Sequence, residues 1–329
     1  MGCRKTRRCY TAAITFARLS QRPRGGGVIM QQVTVRVPAS TSNLGPGYDC
    51  LGVALRIYNT ITLVRGQIPQ TSDPPIVSDA AERFFKHARR RPFGFACSVV
   101  ERVPRCRGLG SSATIRLGLL IGLNRLSGDP LHRVTLFNLC AELEAHPDNA
   151  APASFGGFTV VGSASCTDWN SERGVRTVQR FDVSPRLRFV LLVPELEIET
   201  ARARTILPSK ISRVAAVENS ANACSVTAAF ASQDYEKIRG SFCDHLHQPF
   251  RAKLIQFLPR VIAAAERAGA LGAFLSGSGS AIAAITLKGP EKIAAAMARS
   301  AGVPSRTIIT RADNRGAQIL SRRSSVTIN

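Results

Sequence analysis

The most informative segment of the sequence is Pro104-Arg105-Cys106-Arg107-Gly108-Leu109-Gly110-Ser111-Ser112-Ala113. It lies between a predicted strand at residues 95–103 and a predicted helix at residues 112–126, whose apolar residues recur at helical spacing. A glycine-rich turn lets backbone N–H groups approach phosphate oxygens, and the helix N-terminus adds the positive end of its dipole. The hydroxyls of Ser111 and Ser112 can reach a phosphate or a magnesium ion. Taken alone, the stretch fits a phosphate loop and an ordinary strand-to-helix turn with a serine N-cap equally well.

Two further segments place glycines and small polar residues in short turns. The first is Pro38-Ala39-Ser40-Thr41-Ser42-Asn43-Leu44-Gly45-Pro46-Gly47-Tyr48-Asp49, which follows a run at residues 33–37 with the alternation of a strand. The second is Phe274-Leu275-Ser276-Gly277-Ser278-Gly279-Ser280, near the C-terminus. The stretch 104–113 itself has neither the G-x-x-x-x-G-K-[ST] nor the G-x-G-x-x-G spacing, so these two common nucleotide loops are excluded there.

Together with residues 104–113, these segments resemble the three motifs of the GHMP kinases, the family of galactokinase and of the homoserine, mevalonate and phosphomevalonate kinases. The first segment and His146-Pro147-Asp148-Asn149-Ala150-Ala151-Pro152 are similar to the homoserine branch of that family. The resemblance runs from about residue 33 to past residue 320, in the family's order and spacing. Thr114 and Ser280 depart from it, because alanine and proline are usual at those places, but neither change removes a phosphate ligand.

The resemblance implies an α+β, two-domain fold, with a ribosomal-S5-like N-terminal domain, a ferredoxin-like C-terminal domain, and ATP and substrate between them. Strand and helix patterns occur in both halves of the chain, which also favours α+β. We predict the ATP-binding domain at residues 30–185 and the C-terminal domain at residues 186–329. Residues 1–29 hold seven cationic residues and no acidic one. We expect them to be a disordered basic extension outside the fold, either a transit peptide or the product of a misassigned start codon.

The elements follow from the periodicity of apolar residues. Strands are predicted at residues 33–37, 57–64, 95–103, 157–161, 188–193, 272–275, 281–286 and 307–310. Helices are predicted at residues 112–126, 131–144, 214–231, 252–268 and 290–301.

The family pattern also implies how ATP and Mg²⁺ are held. Magnesium would be bound by Ser112 and Glu142, because a hard cation takes oxygen ligands and completes its octahedron with phosphates and water. Glu144 is the second candidate, on a different face of the helix, and both glutamates also fit a solvated helix end. The residues implied to bind ATP are the stretch 104–113 and, in the C-terminal segment, Ser276, Gly277, Ser278 and Gly279.

The acceptor implied by the resemblance is L-homoserine, which presents a carboxylate, an ammonium and a free hydroxyl. Two guanidinium forks suit the carboxylate, and Arg204 lies in a run, 200–208, that looks like the family's T-x-x-A-R-x-[IL]-L-P. Asp49 would take the ammonium and Asn43 the hydroxyl. The residues implied to bind the acceptor are Asn43, Asp49, His146, Thr200, Arg204 and Arg251.

Asp148 and Asn149 are implied to lie at the reacting groups. Phosphoryl transfer has a loose transition state, so positioning and charge neutralisation can carry most of the rate without a strong base. Asp148 and Asn149 compete for the place of the aspartate base found in some family members. We therefore predict both as catalytic-site residues, and the identity of a base stays open.

The composition limits the alternatives. The formal charge of +22 favours a polyanion partner, but aromatic residues do not alternate with the arginines as in single-strand binding platforms, so we do not expect nucleic acid as a partner. The longest apolar runs are far shorter than the ~20 residues that cross a bilayer, so we do not expect a membrane as a partner either. Nine scattered cysteines without a C-x-x-C pair are typical of reduced thiols and predict a cytoplasmic location. A basic nucleic-acid-binding protein and another GHMP kinase, such as a mevalonate-type enzyme, remain the competing readings. The resemblance also implies a homodimer.

Overall fold

The computed structural model describes residues 9–14, 32–66, 74–163 and 176–320. Among these residues, no helix combines the length and apolarity needed to cross a membrane. The strands are β1 Cys9–Ile14, β2 Gln32–Asn43, β3 Gly47–Arg65, β4 Phe95–Val100, β5 Phe158–Ser163, β6 Arg176–Phe181, β7 Arg188–Pro194, β8 Gly272–Leu275, β9 Ile282–Thr286, β10 Ser305–Thr310 and β11 Gln318–Ile319. The helices are α1 Pro75–Ala88, α2 Ser111–Leu126, α3 Arg133–Glu144, α4 Ala150–Phe155, α5 Thr200–Thr205, α6 Arg213–Ser232, α7 Gln248–Arg251, α8 Leu258–Arg267 and α9 Pro290–Ala301, with a 3₁₀ turn at Tyr235–Ile238.

The first sheet is built around the hairpin of β2 and β3. Its strand order is β1-β4-β3-β2-β11, with β5 paired to the other half of β3 and β6 paired to β5. Alternate residues of β2, including Val35 and Val37, are fully buried, because helices α1 to α4 cover that face of the sheet. The turn between β2 and β3 is residues 44–46, so the first glycine-rich segment lies at the end of this hairpin.

The second sheet is antiparallel with strand order β10-β7-β9-β8. The chain passes through β7, helices α5 to α8, strands β8 and β9, helix α9 and strand β10. This order is that of a ferredoxin-like domain. Helices α8 and α9 pack on one face. The opposite face joins β3, β5 and α6 in a shared apolar cluster, in which Phe158 stacks on Phe230 at 4.3 Å between ring centroids. This cluster fixes the two domains against each other.

The α+β class, the two sheets and most elements are as predicted. Helix α1 is not among the predicted elements, although its buried Val77, Ala80, Ala81 and Phe84 have helical spacing. The predicted helix 252–268 is wrong in its first half: α7 ends at Arg251, and α8 begins only at Leu258, next to Pro259. Proline lacks an N–H and fits the first turn of a helix, so it starts α8 instead of continuing α7.

Both ends of the described chain join the first sheet. The prediction placed residues 1–29 outside the fold, yet Cys9–Ile14 pair antiparallel with β4. At the other end, Gln318–Ile319 return to β2, so the last strand of the predicted C-terminal domain lies in the N-terminal sheet. Each added strand covers an edge that would otherwise leave unpaired backbone groups. For these segments the structure differs from the prediction, and the rest of residues 1–29 lies outside the described residues.

Candidate active site

A cavity of about 570 Å³ opens between the two domains. It is bounded by the β2–β3 turn, the stretch 104–112, the end of α3, the start of α5 and the loop after β8. The predicted site residues that line it are Asn43, Asp49, Pro104, Arg105, Cys106, Arg107, Gly108, Leu109, Gly110, Ser111, Ser112, His146, Asp148, Asn149, Thr200, Arg204, Arg251, Gly277 and Ser278. The structure thus brings the separate motifs to one cavity.

Three residues predicted to bind ATP are not among those that line the cavity. Ala113 is buried in α2. Ser276 is fully buried, and its hydroxyl lies 2.7 Å from the carbonyl oxygen of Gly108 and 2.8 Å from the Thr41 hydroxyl. The backbone N–H of Gly279 donates to the Ser276 carbonyl at 2.9 Å. Ser276 and Gly279 therefore support the phosphate loop from behind.

The loop itself has the geometry of an anion site. Gly108 and Gly110 both adopt φ of +69°, and Gly110 caps the N-terminus of α2. The Ser111 hydroxyl is buried at this N-terminus and has no hydrogen-bond partner. A buried hydroxyl without a partner is costly unless a ligand supplies one, and the helix N-terminus favours an anion. Ser111 and the loop therefore fit a bound phosphate.

Asn59, which was not predicted, holds the start of this loop. Its side-chain oxygen accepts hydrogen bonds from the backbone N–H groups of Arg102 and Val103 at 2.9 and 3.0 Å. Its amide nitrogen donates to the Thr114 hydroxyl at 2.8 Å. Thr114, which departs from the family pattern, thus ties the loop to strand β3. No pattern in the sequence marks Asn59, because its partners, two backbone N–H groups and the Thr114 hydroxyl, are distant in the chain.

We expect Gly108→Ala to lower stability and raise KM for ATP at least roughly 10-fold. A Cβ at this position would lie 1.9 Å from the Ser276 carbonyl oxygen, and a positive φ alone costs about 1–2 kcal/mol for a residue with a side chain. Thermal unfolding and ATP-dependent kinetics measure both effects. Gly289→Ala is the matched control: it has φ of +58° but no neighbour within 4 Å of the added Cβ, so KM should stay unchanged. Equal KM values for the two variants would contradict a close packing of this loop.

The acidic residue beside Ser112 is Glu144. Its carboxylate accepts a hydrogen bond from the Ser112 hydroxyl at 2.7 Å, pairs with Arg116, and is only 5% exposed. Glu142, the predicted magnesium ligand, is 50% exposed and faces Arg83 at 3.5 Å. Because residues two apart lie on different faces of a helix, α3 can direct only one of them to the cavity. Glu144, and not Glu142, is therefore the better candidate to bind magnesium together with Ser112.

At the opposite end of the cavity, Asp49 and Arg204 form an ion pair of 2.6 Å. The side-chain oxygen of Asn43 accepts a hydrogen bond from the Asp49 backbone N–H at 3.0 Å, which fixes the turn. The Arg251 side chain is buried, and its guanidinium donates to the carbonyl oxygens of Ala203 and Gly277. Two arginines and a carboxylate thus converge from different domains.

The charges at this end suit a small molecule that carries both signs. Burial raises the pKa of Asp49, the negative charge of Asp148 raises it further, and Arg204 only partly offsets this. A raised carboxyl pKa means that the ionised form of Asp49 is disfavoured, and a cation bound beside Asp49 would stabilise that form. The arginines favour an anion close by, so a zwitterion matches both demands.

Asp148, His146 and Asn149 form a buried network at the centre of the cavity. His146 Nδ1 lies 3.0 Å from an Asp148 oxygen, and Asn149 bridges the Ser40 and Ser42 hydroxyls at 2.7 and 3.1 Å. Burial alone would raise the pKa of Asp148, but the hydrogen bond and charge of His146, the Ser42 hydroxyl and the charge of Arg204 together outweigh burial and hold it below its usual range. The same pair raises the pKa of His146 against the effect of burial.

The apolar end of the cavity was not predicted. Beyond the phosphate loop it is lined by Pro74, Ile76, Val77, Val99 and Ile115. Two of these belong to the first turn of α1, and the helical spacing in that segment was the signal that could have revealed them. A flat apolar group can be bound here next to the phosphate loop.

Known proteins match the chain over nearly its whole length. The GHMP kinases N terminal domain family matches residues 75–157, and the GHMP kinases C terminal family matches residues 227–303. A homoserine kinase of Carboxydothermus hydrogenoformans is 35% identical, with 87% of this chain and 96% of the relative covered. One of Trichormus variabilis is 32% identical, covering 88% and 99%. The crystal structure of homoserine kinase from Cytophaga hutchinsonii superposes with a TM-score of 0.76 at 25% identity, over 92% of this chain and all of that one.

Proposed function

Because the chain belongs to the GHMP kinase family, we propose that it transfers the γ-phosphoryl group of ATP to the side-chain hydroxyl of L-homoserine, forming O-phospho-L-homoserine. The observation that carries the proposal is the single cavity in which a phosphate loop faces an ion pair suited to a zwitterion. Full-length similarity to homoserine kinases supports the same acceptor.

GHMP kinases use ATP, and the residues around the loop fit its parts. The backbone of residues 108–112 and the unpartnered Ser111 hydroxyl would hold the triphosphate. The apolar end beside α1 would hold the base. Ser112 and Glu144 would hold Mg²⁺ through a hydroxyl and a carboxylate, the oxygen ligands that this ion prefers. The bound ion supplies charge neutralisation for the phosphates.

The acceptor would bind by breaking the ion pair between Asp49 and Arg204. Its ammonium would pair with Asp49, and its carboxylate would pair with Arg204 and Arg251, so each of these charged side chains would have a partner of opposite sign. Asn43, which lines the cavity and is hydrogen-bonded to Asp49 and Gly277, would orient the hydroxyl. Mevalonate has a carboxylate but no ammonium, so it would leave Asp49 without a cation.

Asp148 would orient the acceptor and contribute charge, and it is poorly suited to act as a strong base. A carboxylate whose pKa lies below its usual range holds a proton weakly at neutral pH. Because the transition state of phosphoryl transfer is loose, in-line positioning by Asp148, Asn149 and the loop is sufficient for a large rate gain. The hydroxyl proton can then pass, late in the reaction, to an oxygen of the transferred phosphoryl group or to water.

The test is ADP release with L-homoserine and Mg²⁺, with phosphorus NMR to identify the product. We expect ADP formation to require both compounds. L-2-aminobutyrate, which lacks only the hydroxyl, is the matched control and should release no ADP. ADP release with L-2-aminobutyrate equal to that with L-homoserine would indicate hydrolysis and contradict the proposal.

The location and assembly follow the same proposal. Six cysteines of the described residues are free thiols, namely Cys50, Cys97, Cys106, Cys140, Cys224 and Cys243. Free thiols suit a reducing cytoplasm, where homoserine phosphorylation would take place. A homodimer is the expected assembly by analogy with the family.

A further inference from the structure

A buried histidine lies directly behind the proposed acceptor site. The His247 side chain is 0% exposed and precedes α7, which carries Arg251. Its Nε2 atom lies 2.8 Å from the carbonyl oxygen of Gly45, and its Nδ1 atom lies 3.2 Å from Arg251 Nη1. His247 therefore links the β2–β3 turn of one domain to an arginine of the other.

The partners of His247 fix its tautomer. A carbonyl oxygen only accepts hydrogen bonds, so Nε2 must carry the proton that is donated to Gly45. A guanidinium only donates, so Nδ1 must present its lone pair to Arg251. The ring is thus neutral, in agreement with burial, which lowers the pKa of His247 to about 4.

The nearby carboxylate is occupied elsewhere. Asp244 lies 3.4 Å from His247 Nε2, but its oxygens accept the backbone N–H groups of Leu246, His247 and Gln248 at 2.8, 3.0 and 2.5 Å. Asp244 thus caps α7 and leaves the Arg251 interaction to the histidine.

Arg251 has only uncharged partners. Its hydrogen-bond partners are the carbonyl oxygens of Ala203 and Gly277 and the His247 ring, and its guanidinium carbon lies 5.5 Å from the centre of the Tyr48 ring. In the described part of the chain, no carboxylate lies within 4 Å of its guanidinium, whereas Arg204 is paired with Asp49. The positive charge of Arg251 is thus buried without a carboxylate of the described residues in direct contact, and an anionic ligand would supply one.

We propose that His247, as the neutral Nε2–H tautomer, is a positioning residue that accepts a hydrogen bond from Arg251 and directs its guanidinium to the acceptor carboxylate. This inference rests on the proposed function. A histidine that served only to fill the core would need no lone pair facing Arg251. A substitution that keeps the size of His247 but removes the hydrogen-bond acceptor at Nδ1 therefore separates the two roles. It impairs a positioning residue and leaves a residue that only fills the core without effect on Arg251.

Two variants separate the atoms of the ring. In His247→Asn the amide oxygen lies closest to the place of Nδ1 and can still accept from Arg251. In His247→Gln the amide nitrogen lies closest to the place of Nε2 and can still donate to Gly45, but the acceptor toward Arg251 is lost. His245→Gln is the control, because His245 is two residues away, partly exposed and paired with Glu218 at 3.0 Å.

The measurement is steady-state kinetics with L-homoserine and with L-homoserinol, in which CH₂OH replaces the carboxylate. A hydrogen bond to a charged group is worth about 1.5–3 kcal/mol, so His247→Gln should raise KM for homoserine roughly 10- to 150-fold. KM for ATP and for homoserinol should change less than about 3-fold, since neither engages Arg251 through a carboxylate. His247→Asn should recover most of the loss, and His245→Gln should behave as the wild type.

The outcomes are distinguishable. If His247→Gln leaves the homoserine-to-homoserinol preference unchanged, or if both variants raise KM for the two acceptors alike, the inference is overturned. If His247→Gln does not fold, loss of the preference in His247→Asn overturns it, and retention supports it. A wild-type protein that releases no ADP with homoserine would instead refute the proposed function on which the inference rests.

Discussion

Replacing Arg204 by alanine is expected to lower kcat/KM for L-homoserine roughly 30- to 1000-fold, while KM for ATP changes little. Arg204 lies at the cavity end away from the phosphate loop, where it pairs with Asp49 at 2.6 Å. Loss of a charge-assisted pair to the acceptor carboxylate corresponds to about 2–4 kcal/mol. The variant also leaves Asp49 without its cation, so the acceptor ammonium alone must neutralise it.

Two further substitutions decide whether the loss belongs to the guanidinium. Arg204→Lys keeps the charge but not the planar fork, and it should recover only part of the activity. Arg202→Ala is the matched control, because Arg202 is exposed on the same short helix, α5, and is not among the residues that line the cavity. If neither Arg202→Ala nor Arg204→Ala changed kcat/KM for L-homoserine, the assignment of Arg204 to the acceptor site would be wrong.

Replacing Glu144 by glutamine is expected to lower kcat roughly 100- to 1000-fold, the size of effect seen when one charge-stabilising group is removed from a reaction centre. The amide keeps the shape but loses the charge that would hold Mg²⁺ next to Ser112. A titration of activity against Mg²⁺ should show a higher half-saturating concentration. Ser112→Ala should have the same direction and a smaller effect, because a neutral ligand is lost.

Glu142→Gln is the control that the helix itself provides. Glu142 lies two residues before Glu144, is 50% exposed and faces Arg83. It should tolerate the substitution with activity within about 2-fold of the wild type, as surface changes usually do. An inactive Glu142→Gln together with a fully active Glu144→Gln would reverse the assignment and contradict the geometry of α3.

For residues in short, contiguous motifs, the sequence was sufficient to predict that they lie around one cavity. Residues 104–112 and the turn at 43–49 each have a backbone conformation with positive φ angles. Such a local conformation depends on the glycines and small polar residues of the segment itself, so it can be predicted from them. The sequence was insufficient where the direction of a side chain decides the role. Glu142 and Glu144 have the same chemistry, and only the rotation of α3 about its axis tells which one faces the cavity.

Groups whose partners are distant in the chain were also beyond prediction. Ser276 carries a hydroxyl that could bind a phosphate, but this hydroxyl donates a hydrogen bond to the carbonyl oxygen of Gly108, 168 residues earlier. His247 belongs to no motif of the sequence. Its role depends on its hydrogen bond to the carbonyl oxygen of Gly45, 202 residues away. Residues 75–88 were a different case, because the helical spacing was present and the helix could have been predicted.

A coupled ADP-release assay with L-homoserine, mevalonate, phosphomevalonate and galactose will decide whether this GHMP kinase phosphorylates an amino acid with a free hydroxyl. Because a site that pairs both charges of a zwitterion leaves buried groups unpaired with the other acceptors, kcat/KM for L-homoserine should exceed each of theirs by at least roughly 100-fold. Turnover of mevalonate, phosphomevalonate or galactose with none of L-homoserine would contradict this assignment.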